Sequence, residues 1–171
     1  MDEPHASRQL RQRLALALDF DDSVLAMRWA TRMRPWFGVA KVGLELFSAA
    51  GPSVVPELVE AGYQVFADLK LADIPNTTRK AARVIGGLGA SYLTVHAFAA
   101  NSLKAAVEGL AAGADSVGFA EPAVLAVTVL TSESHSHPGR VRERVRAALG
   151  AGCAGFVCSA ADLEVAKAAG P

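Results

Sequence analysis

The sequence has few cysteines, few aromatic residues and no excess of charge of either sign. Two of its 171 residues are cysteines, Cys153 and Cys158, which is too few for a disulfide framework or a four-thiolate metal site. We expect both thiols to be reduced and buried. Lysine and arginine number 17, as do aspartate and glutamate, so the chain has no basic field that would attract nucleic acid. A nucleic-acid partner is therefore not expected.

The sequence also lacks a long apolar segment. No window offers about 18 consecutive apolar residues, as a membrane-spanning helix would need. Residues 1–13 form a polar lead-in without the apolar stretch of a secretory signal. With 51% hydrophobic and 20% charged residues, the composition is that of a folded domain. We expect a cytoplasmic protein with no membrane partner.

What the sequence does have is six short apolar runs rich in Val, Leu and Ala. The runs are residues 14–18, 37–40, 63–67, 91–95, 123–130 and 154–157. Each interval has room for a strand, a loop and a helix, and continuous apolar runs are typical of strands covered on both faces. The pattern predicts successive βα units with a parallel sheet, which occurs in doubly wound folds and in barrels. Carboxylates at residues 19–22 follow the first run, which argues against a dinucleotide-binding loop there.

Helix signals fill the intervals between these runs. The predicted helix starts are Asp22 or Ser23, Asn76 or Thr77, and Asn101 or Ser102, and a further helix is predicted over residues 141–149. Trp29 and Trp36 are interpreted as packing residues, because an isolated aromatic at helical spacing usually faces the core.

Polar residues close or follow each of the six runs. They are Asp19, Lys41, Asp68 with Lys70, His96, Thr128 with Thr131, and Ser159. The carboxyl ends of parallel strands meet at one edge of the sheet, where ligands bind in such folds. Six polar strand ends in succession therefore predict a ligand site.

The third run leads into the most informative of these segments. Asp68 and Lys70 are two residues apart, so on a strand their side chains leave the same face. Lys41 can flank Asp68, and Asp73 can approach Lys70. We refer to Lys41, Asp68, Lys70 and Asp73 as the charge row. Burying four charged groups at the ends of strands costs free energy, which favours a catalytic function for the charge row over a surface salt-bridge cluster.

This charge row is suited to moving a proton and to crowding an anion. A lysine between two carboxylates is held in its protonated form, so Lys70 would be a poor imine nucleophile and a good proton donor. Asp68 could crowd a substrate carboxylate, with relief as carbon dioxide leaves. Decarboxylation without a cofactor fits the row, as do other proton-transfer reactions.

The motif Asp68-x-Lys70-x-x-Asp73, continued by residues 74–77 as Ile-Pro-Asn-Thr, resembles the signature of the orotidine 5′-phosphate decarboxylase family. The segments around Asp19, Lys41, His96, Thr128 and Ser159 resemble the same family in the same order, from about residue 14 onward. The resemblance implies an α/β fold, a TIM (β/α)8 barrel with about six βα units present, as one incomplete domain over residues 1–171. It also implies decarboxylation of orotidine 5′-monophosphate to uridine 5′-monophosphate with no metal and no cofactor.

The resemblance further implies roles for single residues. Asp19 and Lys41 would bind ribose hydroxyls, Asp68 would press on the substrate carboxylate, and Lys70 would protonate carbon 6. Asp73 would act with Lys70 in the catalytic row.

Other substrate contacts are implied at Thr77, Thr131 and Ser136, the last at the edge of the pyrimidine. Asp73 and Thr77 would reach into the neighbouring subunit's site, which implies a homodimer with a shared active site.

Two alternatives stay open. Magnesium-dependent sugar-phosphate decarboxylases and aldolases share the D-x-K-x-x-D motif, but a glutamate ends their second strand where this chain has Lys41, a cation that opposes a nearby metal ion. His135 and His137 are interpreted as solvated loop residues and not as metal ligands. The second alternative is a truncated, inactive barrel, because the family's phosphate-binding residues are expected beyond Pro171.

Overall fold

The computed structural model describes residues 7–129 and 137–170, and all six predicted strands are present within them. The strands are Ala15–Ala17 (β1), Val39–Gly43 (β2), Gln64–Leu71 (β3), Ala90–His96 (β4), Ala123–Val127 (β5) and Gly155–Val157 (β6). They follow one another in sequence order within one sheet. The pairs β1–β2, β2–β3 and β5–β6 are parallel, as the spacing of the apolar runs predicts.

Helices separate the strands, as predicted. Those described are Arg8–Arg11 (α1), Ser23–Met33 (α2), Leu44–Ala50 (α3), Val54–Glu60 (α4), Pro75–Gly87 (α5), Ala100–Asp115 (α6), Pro138–Gly150 (α7) and Leu163–Lys167 (α8). Helices α1, α3 and α4 were not predicted. The last two are short helices on either side of Gly51, whose φ of 73° ends α3 in a conformation that favours glycine.

One of the three predicted helix starts is confirmed, and the other two are wrong. Asp22 caps α2 as expected, its carboxylate accepting a hydrogen bond from the Leu25 amide at 2.8 Å. The start at Asn76 or Thr77 is wrong, because α5 already begins at Pro75, a residue that suits the first helical position.

The start predicted for α6 at Asn101 or Ser102 is also wrong. This helix begins at Ala100 after Ala99, which offers no side-chain cap. The Ser102 hydroxyl instead donates to the carbonyl of Asp73 at 2.9 Å, so a tertiary contact takes the group that the sequence assigned to capping.

The chain forms two compact units. The first comprises Met1–Leu69 and Leu88–Tyr92, and the second comprises Lys70–Gly87 and Leu93–Pro171. The single domain predicted over residues 1–171 stays a prediction.

In the first unit, β2 lies between β1 and β3, and fully buried aliphatic side chains form its core. These are Leu18, Val42, Leu46, Leu58 and Val65. The register pairs Ala17 with Lys41 and Gly43 with Asp68. This pairing brings the charged residues of three successive segments to the same part of the sheet.

The second unit is built on a close helix pair, α5 and α6. At Gly86 a Cβ would clash with the Leu110 carbonyl, and at Gly113 it would clash with the Arg83 carbonyl. Glycine therefore permits backbone to lie against backbone here.

Burial confirms some sequence predictions and corrects others. Cys153 is buried and Cys158 is partly buried, and both are free thiols. Burial raises the pKa of Cys153 to about 11, so the thiol is neutral near pH 7. Trp29 was predicted to pack in the core, but it is 40% exposed and stacks on Phe20 with ring centroids 6.5 Å apart. None of the helices among residues 7–129 and 137–170 is long and apolar enough to cross a membrane.

Candidate active site

In the first unit, the carboxylates of Asp19 and Asp68 lie close to the ammonium group of Lys41. Its Nζ lies 2.8 Å from Oδ1 of Asp19 and 3.9 Å from Oδ2 of Asp68. The side chain of Asp68 is 14% exposed and that of Lys41 is 22% exposed, whereas that of Asp19 is 59% exposed. The structure thus confirms that Lys41 flanks Asp68, and it adds a direct ion pair with Asp19.

Strand geometry explains why these residues meet. Lys41 lies in the middle of β2, where it is the one partly exposed residue of a strand that is otherwise buried. The predicted strand ended at residue 40, but Lys41 lies within the strand and not after it. Gly43 follows on the same face, and a Cβ there would lie 3.4 Å from both Asp19 Oδ1 and Lys41 Nζ. A larger residue would crowd the ion pair.

Lys70 has an unusual backbone conformation. Within the described residues it is the one non-glycine residue with a positive φ, 49°. L-residues with side chains adopt this left-handed region at a cost, and such strain is concentrated at functional sites. The Lys70 amide donates to Oγ1 of Thr94 at 2.9 Å, and Thr94 is fully buried. The predicted shared face of Lys70 and Asp68 assumed an extended backbone, from which Lys70 departs, and it stays a prediction.

The loop between β3 and α5 carries Asp73. Its carboxylate accepts a hydrogen bond from the Ile74 amide at 2.7 Å, and its carbonyl accepts from the hydroxyls of Thr78 and Ser102. Thr78 and Ser102 are buried residues of α5 and α6, so these hydrogen bonds fix the loop to the two helices. Residues 72–77, which include Thr77, are exposed.

The other predicted site residues lie outside the described residues or form hydrogen bonds within the fold. Thr131 and Ser136 lie outside the described residues, as does His135. Thr128 is fully buried, and its hydroxyl donates to the Val157 carbonyl at 2.9 Å. Ser159 caps a 3-10 turn by accepting from the Asp162 amide. Both hydroxyls therefore serve the fold. His137 was predicted as a solvated loop residue; it is exposed, but it also caps α7 by accepting from the Gly139 amide.

A stack of aromatic and cationic side chains at the end of β4 was not predicted. His96 lies parallel to Phe98 with ring centroids 4.6 Å apart, and the Arg144 guanidinium lies 4.9 Å from the Phe98 centroid. Arg144 also donates to the carbonyl of Thr128, which ties α7 to the end of β5. Neither Phe98 nor Arg144 belongs to a polar strand end, so the sequence offered no signal for this stack.

In the described part of the chain, no group of three or more His, Cys, Asp or Glu side chains is placed to hold a metal ion. The Lys41 ammonium occupies the space between two carboxylates, Asp19 and Asp68, where a cation would otherwise be held.

Comparison with known proteins places these residues in a family context. Residues 12–170 match the model of the orotidine 5′-phosphate decarboxylase / HUMPS family. The chain is 40% identical to the orotidine 5′-phosphate decarboxylase of Lactiplantibacillus plantarum over 168 residues, which covers 91% of this chain and 71% of that protein. It is 42% identical to the corresponding protein of Anaeromyxobacter sp. strain K over 169 residues, covering 92% and 71%.

A solved structure gives the same result for the fold. The crystal structure of orotidine 5′-phosphate decarboxylase from Lactobacillus acidophilus matches with a TM-score of 0.78 at 32% identity, covering 92% of this chain and 76% of that one. This match confirms the predicted α/β barrel fold, of which the described residues contribute six strands.

Proposed function

Because the chain belongs to the orotidine 5′-phosphate decarboxylase / HUMPS family, we propose that it converts orotidine 5′-monophosphate to uridine 5′-monophosphate and carbon dioxide. The protein is then a carboxy-lyase of pyrimidine biosynthesis that uses no metal and no organic cofactor. A cytoplasmic location stays a prediction.

In the proposed reaction, Asp68 and Lys70 of β3 have separate roles. Asp68 lies beside the substrate carboxylate, and the repulsion between the two anions is relieved as the bond from carbon 6 to the carboxylate breaks. The electron pair stays on carbon 6 while carbon dioxide leaves. Lys70 then donates a proton to carbon 6, which completes uridine 5′-monophosphate. Asp73 acts with Lys70 as the fourth member of the charge row.

The observation that carries this proposal is the placement of Lys41 between Asp19 and Asp68. The ammonium lies beside Asp68 as its counter-ion, and Asp19 stays exposed, so its second oxygen can accept a hydrogen bond from a ribose hydroxyl. In the magnesium-dependent alternative a glutamate occupies this strand position. Lys41 would repel a divalent ion bound beside Asp68, so the contact favours the metal-free reaction.

An absorbance assay tests the proposed activity. We expect the protein to consume orotidine 5′-monophosphate, seen as a fall in its ultraviolet absorbance, at a rate that EDTA leaves unchanged. A matched assay supplies a keto-sugar phosphate with magnesium. Turnover of the sugar phosphate alone would establish the magnesium-dependent alternative, and absence of both activities would support an inactive barrel.

We also propose that the loop after β3 lies at a homodimer interface. Ile74 is 65% exposed and lies next to Asp73, in the segment where family members reach into the neighbouring subunit's site. Burial of an exposed isoleucine side chain stabilises an interface by about 1.5–3 kcal/mol. This contribution fits an apolar anchor beside a polar group that contacts the partner's substrate.

Sedimentation tests the dimer. We expect the wild-type protein to be a dimer at micromolar concentration and Ile74→Glu to raise the dimer dissociation constant by about tenfold or more. Val84→Glu is the matched control, because Val84 is 62% exposed on α5 but lies outside the motif. A wild-type monomer, or equal weakening by both variants, would contradict the proposed interface.

A further inference from the structure

The first unit contains a cavity of about 500 Å³ at the amino-terminal ends of β2 and β3. Gln64, the first residue of β3, lines it, and Asp68 lies about 13 Å further along that strand at the usual rise per residue. The cavity is therefore separate from the cluster around Lys41. Its volume is in the range of small-molecule sites.

The lining of this cavity is strongly cationic. Arg8, Arg11 and Arg34 line it together with Gln12, Gln64 and two glycines, and no aspartate or glutamate of the described part of the chain lines it. Arginine is always protonated in proteins. Within residues 7–129 and 137–170, none of the three arginines forms an ion pair. We refer to this site as the arginine cavity.

Arg34 is held rigidly by neutral groups. Its guanidinium donates to the carbonyls of Phe37, Ala61 and Gly62. It also lies 4.9 Å from the centroid of the Tyr63 ring. These partners fix its position without neutralising its charge.

Tyr63 does not supply a counter-ion either. Burial raises the pKa of Tyr63 to about 12, although the charge of Arg11 acts in the opposite direction. The phenol is therefore neutral at physiological pH, and its hydroxyl donates to the Ala30 carbonyl at 2.6 Å.

Arg11 carries a polar group without a partner. Its Nε is shielded from solvent and has no hydrogen-bond partner among the described residues. A buried N–H group without an acceptor is destabilising, and such groups in folded proteins point to a missing ligand or water. Arg11 lines the arginine cavity, so its guanidinium charge adds to the positive potential there.

We propose that the arginine cavity binds the phosphate group of a small phosphorylated molecule. Guanidinium groups match phosphate oxygens in pairs, and several arginines suit a group that carries up to two negative charges. The glutamine amides offer further donors, and the volume leaves room for the rest of the molecule. This inference goes beyond the proposed decarboxylation and does not depend on it.

Calorimetric titration with inorganic phosphate at constant ionic strength tests the proposal. We expect the wild-type protein to bind phosphate and both Arg8→Gln and Arg11→Gln to weaken binding by about tenfold or more. Arg8 is exposed, so its variant keeps the test valid if Arg11→Gln fails to fold. Arg13→Gln is the control, since it removes the same charge from an exposed residue of the same segment that does not line the cavity.

The outcomes separate this cavity from other sites. Wild-type affinity in Arg13→Gln together with loss in Arg8→Gln supports the arginine cavity. Wild-type affinity in both Arg8→Gln and Arg11→Gln would place the phosphate elsewhere, for example at the substrate site, and overturn the proposal. Failure of the wild-type protein to bind phosphate at millimolar concentration would overturn it as well.

Discussion

Lys70→Ala is expected to lower kcat for decarboxylation of orotidine 5′-monophosphate by about 10²- to 10⁴-fold, the usual contribution of a positioned general acid. The variant leaves Asp68 and Lys41 in place but removes the proton that the carbanion at carbon 6 needs. Because this proton transfer belongs to the reaction and not to substrate binding, the loss should fall on kcat more than on KM. The fall in substrate absorbance at saturating concentration measures it.

Lys80→Ala is the matched control for this experiment. Lys80 is an exposed lysine of α5, so its replacement removes the same charge without touching the proposed site. Alanine keeps the Cβ of lysine, and Lys70→Ala therefore neither adds to nor relieves the backbone strain at φ 49°. Wild-type kcat in Lys70→Ala would exclude Lys70 as the proton donor, whereas equal losses in both variants would indicate an effect of charge alone.

The strands were predictable because each has a strong and simple signal. A continuous apolar run is required wherever both faces of a strand are covered, and the six runs coincide with the six strands. The ends were less predictable. Lys41 and Asp68 lie inside β2 and β3, because a partly buried charged residue can remain in a strand when an opposite charge lies beside it. Pattern alone does not show such a pair.

The candidate site was predictable where chemistry and sequence order agree. Lys41 meets Asp68 as expected from their positions after successive apolar runs, whereas its ion pair with Asp19 was not predicted. Thr128 and Ser159 show the limit of this rule, since a hydroxyl at a strand end can equally satisfy a backbone group. The left-handed backbone of Lys70 lay beyond prediction, because lysine has no intrinsic preference for that conformation.

The roles of glycine in α5 and α6 were missed for a similar reason. In a sequence, a glycine within a helix indicates only a weaker helix or a helix end. Its packing role depends on the partner helix, whose position the sequence does not contain. Gly109 is an example, because a Cβ there would clash with the Arg79 carbonyl of α5.

Gly113→Ala is expected to destabilise the protein by about 1–3 kcal/mol, the usual cost of overpacking. A Cβ at this position would clash with the backbone carbonyl of Arg83, which cannot move aside as a flexible side chain could. The sign of the change in the free energy of unfolding makes the test informative. Elsewhere in a helix the same change is favourable by up to about 1 kcal/mol, because alanine forms helices better than glycine does.

Urea denaturation with Gly150→Ala as the control measures this effect. Gly150 ends α7, and a Cβ there would meet nothing within 4 Å, so we expect its variant to be neutral or slightly stabilised. A lower denaturation midpoint for Gly113→Ala alone would show that α5 and α6 approach as closely in solution as in the structure. Equal stabilisation of both variants would mean that the helices lie further apart. The anchoring of the Asp73 loop would then need another explanation, because Thr78 and Ser102 hold it from these two helices.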